Sequence, residues 1–285
     1  MNSYVAITPA RDEQALLPGL INSVLAQSRR PNRWILIDDG SSDNTGQIAD
    51  RVASEHEWIE AHHLAAERAR QAGGESVVMQ FLPYEVWERY EFILRLDADL
   101  TFGPELAAML LREMDADRRL GIAGATLHEP SSDGWRESRQ PSFHTRGAVK
   151  MYRRECFAAI GGLDAGLGWD TLDEARAMMS GFRTRSFRHI QARHHRPQGA
   201  VDGIWRSRLA AGRAAYRIGY SPWYMLARAA RRTLHRPVFV ESAALMTGYL
   251  EGYVRQSPKA ASPELEKFVR REQVRRLLGM ESQWR

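Results

Sequence analysis

The chain has 285 residues, 44% of them hydrophobic and 26% charged, values ordinary for a soluble globular protein of one large domain or one domain with an appendage. Its single cysteine, Cys156, excludes an internal disulfide and a cysteine-built zinc site. With no basic-then-apolar leader and no run of about 18 uncharged apolar residues, the expectation is a cytoplasmic protein without a spanning helix. In chain order, residues 4–8 (YVAIT) read as a strand ended by Pro9, and Pro18 opens a helix running to about Gln27. A second strand, residues 34–37, ends in Asp38-Asp39, and GSSDNT then makes a turn and caps a helix to about Ser54. A third strand is expected over 58–64 and a buried one over 92–96. A helix from Pro104 to about Asp115 follows, then a Gly-interrupted strand over 121–127. Residues 131–140 read as a polar loop, 143–152 as a strand, 154–160 as a short helix containing Cys156 as a core residue, and 185–193 as the last strand. From residue 198 the pattern is helical, with segments near 200–218, 222–235, 238–255 and 263–278 separated by Pro222, Pro237 and Pro258.

Strands alternating with helices through short loops predict an α/β fold with a parallel-type sheet. Three strands stop at polar clusters: Thr8 to Asp12, Asp38-Asp39, and Asp97-Ala98-Asp99. Ligands of open α/β sheets bind beyond the carboxyl ends of the strands. If residues 97–99 stay extended, Asp97 and Asp99 point the same way, and two such carboxylates call for a cation, Mg²⁺ or Mn²⁺, between them and a phosphorylated ligand. The plainer reading is a turn ahead of the helix opened by Gly103-Pro104. There is neither a GxGxxG nor a GxxxxGK[ST] motif, so a metal takes the place of a phosphate-binding backbone loop.

The stretches VAITPARDEQ, ILIDDGSSDNT, LRLDADL and GWDTLDEARAMMSGF, in that order over roughly residues 1–196, resemble family 2 glycosyltransferases of the GT-A fold. RGAVKMYRRECFAAIGGL, HHRPQG and the Arg-rich tail resemble a bacterial subgroup linked to exopolysaccharide or cell-surface glycan assembly. The resemblance implies a Rossmann-like, mostly parallel sheet flanked by helices. Its nucleotide-sugar half covers about residues 1–102 and its acceptor half about 103–196, with a helical extension over 197–285. It implies that Pro9, Arg11 and Glu13 line the nucleotide. Asp39, with Asp38 beside it, reads the base; Asp99 ligates the metal, and Asp97 meets the ribose or the metal. Arg68 is a further candidate for the nucleotide, and Arg146 and Lys150 for phosphate or acceptor. The family's acidic pair before the acceptor-side helix reads Trp169-Asp170 here, so the first acid is missing. Counting back from Gly181 and Arg176 puts Asp170 at the general-base position, with Asp173 one helical turn on. Of the paired His194 and His195, His195 is expected to face the metal or the diphosphate.

The expected reaction is an inverting transfer from a UDP-, GDP- or dTDP-sugar to an acceptor hydroxyl, such as that of a polyprenyl-linked or growing surface glycan. Residues 196–285 carry 17 Arg and Lys against 7 Asp and Glu, interleaved with Trp205, Tyr216, Trp223 and Tyr224. That tail suits peripheral binding at an anionic inner membrane face, packing on the body, or a homodimer contact. No nucleic-acid motif accompanies the charge. Two rivals stand beside the transferase: a sugar-phosphate nucleotidyltransferase, which lacks its usual Gly-rich basic loop here, and a non-catalytic nucleotide-sugar or glycan-binding partner of a synthase.

Overall fold

The computed structural model describes residues 2–64, 81–164, 166–196, 203–233 and 239–284. Nine strands form one sheet in the order β3-β2-β1-β4-β8-β6-β9-β5, with β7 paired to β6. The strands are β1 (Tyr4–Ala10), β2 (Arg33–Asp38), β3 (Ile59–His63), β4 (Phe92–Leu96), β5 (Leu100–Phe102), β6 (Leu120–Ser131), β7 (Gly134–Glu137), β8 (Val149–Arg153) and β9 (Arg183–His194). Pairing is parallel from β3 through β4 and between β6 and β9. It is antiparallel for β4 with β8, β8 with β6, β9 with β5 and β6 with β7. The parallel character read from the sequence therefore holds for the first half, and the second half makes the sheet mixed.

The central strands are apolar on both faces because helices cover both. Ala6, Leu36, Leu94 and Leu96 face α1 (Leu17–Leu25), α2 (Thr45–Glu55) and α4 (Leu106–Ala116), whose buried side chains include Leu20, Val24, Leu110 and Met114. Their neighbours Ile7, Ile35, Ile37 and Ile93 face the other side, where Trp87 of α3 (Tyr84–Trp87), Cys156 and Phe157 of α5 (Arg154–Ile160) and Ala177 of α6 (Trp169–Met179) pack. The period-two alternation of the strands thus fills two separate cores. Each fully buried Leu or Ile contributes about 1.5–3 kcal/mol.

Two local expectations are corrected. Residues 131–140 are not simply a loop, because Gly134, at φ +104°, lets the chain return as β7 against β6. The strand expected from Phe143 begins only at Val149. Before it, the Thr145 amide and hydroxyl both donate to Glu174 of α6, at 2.6 and 2.7 Å, instead of joining a ladder.

The tail forms α7 (Gly203–Arg217), α8 (Pro222–Arg232), α9 (Val240–Val254) and α10 (Pro263–Leu277). α7 and α9 cross at backbone contact: a Cβ on Gly248 would lie 2.0 Å from the Leu209 carbonyl oxygen. The four helices close on α6, with Leu172, Ala175 and Met178 sharing a core with Tyr216, Tyr249, Val269 and Trp284. Several tail arginines are spent on ion pairs, Arg208 with Glu241 at 2.9 Å, Arg213 with Glu251 at 2.7 Å and Arg217 with Asp164 at 2.5 Å. Among the described residues no helix is long and apolar enough to cross a membrane.

α6 is riveted to the sheet by a buried polar network. The Lys150 ammonium, with no exposed surface, donates to both Asp173 oxygens at 2.8 and 3.0 Å and to the Asp170 carbonyl at 2.5 Å. Tyr152 donates to Asp173 at 2.5 Å, and Glu174 takes His144 at 2.8 Å. Burial opposes the charge on Lys150, but Asp173 and Glu174 outweigh it and its pKa is raised. Removing one partner of a buried pair strands the other charge, at a cost of about 3–5 kcal/mol. Lys150→Met is therefore expected to lower the unfolding free energy in urea by about 3 kcal/mol or more. An unchanged denaturation midpoint would contradict this role.

Candidate active site

The carboxyl ends of β1, β2, β4 and β9 open onto one rim of the sheet. After β1 the chain turns through Asp12, held at φ +52° with its carboxylate accepting from the Ser42 amide at 2.7 Å. The Glu13 amide donates to Thr45 Oγ1 at 2.7 Å and the Gln14 amide to Asp43 at 3.1 Å. The ARDEQ loop and the GSSDNT turn are thus laced together, which explains the density of short polar residues in both.

Asp38 and Asp39 divide their work. Asp38 serves the turn, accepting from the Ser41 amide at 3.0 Å and facing His63 Nδ1 at 3.2 Å. Asp39 is buried, yet its Oδ1 has no hydrogen-bond partner among the described residues. Burial raises its pKa, with Arg11 pulling it down and Asp38 adding to the rise. A buried carboxylate oxygen without a donor is costly, so this one is built to receive a donor from outside the chain.

Asp97 and Asp99 do converge, by a route other than strand alternation. β4 ends at Leu96, and residues 97–99 turn before β5 begins at Leu100. Asp97 Oδ1 accepts from Arg95 at 2.7 Å. Leu100 pairs with His194 across β5 and β9, which carries His194 to Asp99, Nε2 to Oδ1 at 3.2 Å. One donor atom from each of Asp97, Asp99 and His194 lies within 4.8 Å of the others. Glu129, beyond the apolar part of β6, approaches His194 Nδ1 at 3.6 Å and is paired with Arg146. Burial resists the charge on His194, but Asp99 and Glu129 hold its pKa up at about 9. The cluster thus already stabilises one positive charge, that of a proton. Two carboxylates and an imidazole suit a small divalent cation, and the nitrogen ligand favours Mn²⁺ over Mg²⁺.

Glu13 joins the cluster from the β1 loop, ion-paired with Arg196 just beyond β9. Burial pushes its pKa up to about 7 against the pull of Arg196, and Asp99 and Asp97 push the same way. On the other side, the Arg95 guanidinium lies 4.7 Å from the Trp169 ring centroid and the Lys150 ammonium 5.4 Å. A Cβ on Gly147 would sit 2.5 Å from that indole, so the glycine makes its room. The route Asp97, Arg95, Trp169 leads from the acidic cluster to Asp170, in the first turn of α6 and half-buried.

Several expected site residues stand elsewhere. His195 is outside the acidic group: its Nε2 meets Thr101 Oγ1 at 2.9 Å and its ring packs edge-on against Trp135 at 5.1 Å. His194 holds the place instead. Asp173 is buried against Lys150, so it anchors α6 rather than meeting an acceptor. Lys150 is likewise internal, and Arg146 is paired with Glu129. Arg68 falls outside the described residues. Pro9 is the penultimate residue of β1, paired with Ile37, and Arg11 follows the strand. Glu129, Arg95 and Arg196 were missed in sequence; only Glu129, the first acid after an apolar strand, left a readable signal.

The model of glycosyl transferase family 2 matches residues 5–166. An undecaprenyl-phosphate 4-deoxy-4-formamido-L-arabinose transferase of Klebsiella pneumoniae is 29% identical over 151 residues, 52% of this chain and 41% of the relative. A polyprenol monophosphomannose synthase of Mycolicibacterium smegmatis is 27% identical over 133 residues, 46% of this chain and 48% of the relative. The chain thus spans less than half the length of these relatives. Among solved structures, the mannosyltransferase PcManGT of Pyrobaculum calidifontis, in complex with GDP-Man and Mn²⁺, superposes with a TM-score of 0.57 at 16% identity, covering 93% of this chain and 78% of that one. GalNAc-T7 with UDP, GalNAc and Mn²⁺ gives 0.61 at 15% identity, covering 99% and 55%. The fold is the GT-A fold of these enzymes.

Proposed function

Because the chain belongs to glycosyl transferase family 2, we propose that it is an inverting, metal-dependent glycosyltransferase moving a sugar from a nucleoside-diphosphate sugar to an oxygen of a lipid-linked acceptor. The observation that carries this reading is the gathering of Asp97, Asp99 and His194 within one ligand's reach, on the same rim of the sheet as the buried, unpartnered Asp39 oxygen. The relatives named for undecaprenyl phosphate and polyprenol support the lipid carrier, and the neighbours holding GDP-Man or UDP with Mn²⁺ support donor and metal. The reading divides the chain at residue 196, the body doing the chemistry and the tail serving the acceptor side.

Asp39 accepts a base N–H at its free oxygen, and the ARDEQ loop lines the nucleotide. Asp97, Asp99 and His194 hold Mn²⁺ or Mg²⁺. When bound, that ion supplies charge neutralisation for the departing diphosphate. Asp170 takes the proton from the acceptor oxygen as it attacks the anomeric carbon from the face opposite the leaving group. Arg95 keeps Asp97 oriented and, through Trp169, keeps the base at a fixed distance from the cluster.

A thermal-shift screen of UDP-, GDP- and dTDP-sugars with Mn²⁺ or Mg²⁺, followed by assay of nucleoside diphosphate release onto polyprenyl-linked acceptors, tests the proposal. Absence of any metal-dependent nucleotide binding would remove it. Asp39→Ala is expected to weaken nucleotide binding roughly tenfold to a hundredfold, the loss of one hydrogen bond to a charged group, as read by calorimetry. It should leave thermal stability unchanged or improved, since Asp39 loses an unsatisfied buried oxygen.

A further inference from the structure

Beside Asp170 the tail closes over a cavity of about 660 Å³. Its floor is the start of α6, at Thr171, and the loop carrying Phe143 and His144; its walls are α8 and α10. Four guanidinium groups line it, Arg228, Arg231 and Arg232 from α8 and Arg276 from α10, and among the described residues no carboxylate does. Among the described residues, no carboxylate pairs with Arg228, Arg231 or Arg276, whereas the neighbouring tail arginines Arg208, Arg213 and Arg217 all have acidic partners. Among the described residues Arg232 alone of the four is ion-paired, with Glu241 at 3.9 Å. Instead, Arg228 lies 5.8 Å from the Tyr220 ring and Arg276 lies 5.4 Å from the Phe143 ring. These stacks fix the planar groups without consuming their charge.

A second, independent feature has the same chemistry. Trp284, 2% exposed, lines the cavity through a ring stacked on Phe143 at 5.6 Å and 16°. Its buried indole N–H has no acceptor among the described residues. Four cationic donors, three of them with no carboxylate partner among the described residues, and an indole N–H without an acceptor line a space large enough for a small ligand. Burial, then the like charges of Arg228 and Arg208, depress the pKa of Arg232 against the pull of Glu241.

We propose that this cavity binds a phosphate ester, the phosphate or pyrophosphate that joins the acceptor to its carrier, and so presents the acceptor's reacting oxygen to Asp170. The placement fits: Thr171 in the cavity floor is the residue after Asp170, and the Asp170 charge acts on His144 and Tyr220, both in the cavity wall. The arginines belong to the tail, outside the residues matched by the family model, so this subsite is a property of the extension. The assignment rests on the transferase reading only for the identity of the ligand.

The test is calorimetry on the full chain, with chelator present to silence the metal-dependent nucleotide site. Geranyl monophosphate and glucose 1-phosphate are the probes, and geraniol and glucose the uncharged controls. The phosphate esters are expected to bind and the controls not to. Arg228→Gln and Arg276→Gln should each weaken binding at least tenfold, as loss of a charge-assisted contact does. Trp284→Phe should weaken it severalfold, and Asp99→Asn should leave it unchanged. Tighter binding of geranyl monophosphate assigns a lipid carrier; equal binding assigns a soluble phosphate ester. Binding that ignores the charge of the probe, or that is as tight in both arginine variants as in the parent chain with unaltered circular dichroism, overturns the proposal. Nucleotide-sugar binding is measured separately with Mn²⁺. If it persists while the esters fail, only this subsite falls; if the esters bind and no donor does, only the transferase reading falls.

Discussion

Asp99→Asn is expected to lower kcat/KM for sugar transfer by roughly a thousandfold and to remove the dependence of nucleotide binding on Mn²⁺, while leaving the chain folded. The substitution keeps the shape of the side chain and deletes the charge that faces His194 Nε2 at 3.2 Å. A cation held by Asp97, Asp99 and His194 then loses one of two anionic ligands. Asp97 compensates poorly because one of its oxygens is engaged by Arg95 at 2.7 Å. A metal contributes several kcal/mol to a transition state that gathers charge on a leaving diphosphate, and about 4 kcal/mol corresponds to a thousandfold in rate. Initial rates of nucleoside diphosphate release over a Mn²⁺ series, with calorimetry of nucleotide plus metal, check the result. His194→Gln should fall in the same direction, and His195→Gln should remain within a few fold of the parent chain. Activity within tenfold of the parent in Asp99→Asn, with the metal dependence intact, would sink the metal assignment.

The contrast between the two histidines shows where reading the sequence ran out. Adjacent residues of a strand face opposite sides, so choosing between them needs the phase of β9. That phase shifts where β9 pairs with β6: Ala125 opposes Phe187 but Thr126 opposes Gln191. A bulge leaves no mark in residue types, and a slip of one exchanges His194 for His195. Asp97 and Asp99 were legible as a pair, since an apolar run that stops at acids marks a strand end. Their convergence, however, comes from a turn rather than from an extended chain. Asp173 reads in sequence as sharing a face with Asp170 because sequence shows which residues share a helix face, not what lies beneath it. Lys150, on a fully buried strand, supplies the missing half of the pair. The tail helices were placed to within a few residues because prolines punctuate them, and Pro222 and Pro263 do open α8 and α10. Their packing on one another and against α6 was not legible, because it depends on close approach of α7 and α9 at Gly212 and Gly248 and on aromatic contacts distant in sequence.

Trp169 in place of an acid makes Asp170 the decisive residue for separating an enzyme from a binding partner. Asp170→Asn is expected to lower kcat by about a hundredfold to ten-thousandfold, the contribution of a positioned general base. KM for the donor and the affinity for nucleotide with Mn²⁺ should stay within about twofold, because the donor is held by groups this substitution leaves intact. Stability should also hold. The contact Asp170 makes to the buried network is through its backbone carbonyl, which takes Lys150 at 2.5 Å, and asparagine keeps that carbonyl and serves as well near a helix start. Asp173→Asn should behave in the opposite way. It takes the charge from beneath Lys150, so the unfolding free energy drops by about 3 kcal/mol while the Asp170 carboxylate remains. The pair of variants therefore splits catalysis from architecture on two residues one helical turn apart. If Asp170→Asn turns over within threefold of the parent chain, the proton leaves the acceptor by another group. Should neither chain release nucleoside diphosphate although both bind the nucleotide with metal, the site is one that recognises a sugar nucleotide without transferring it.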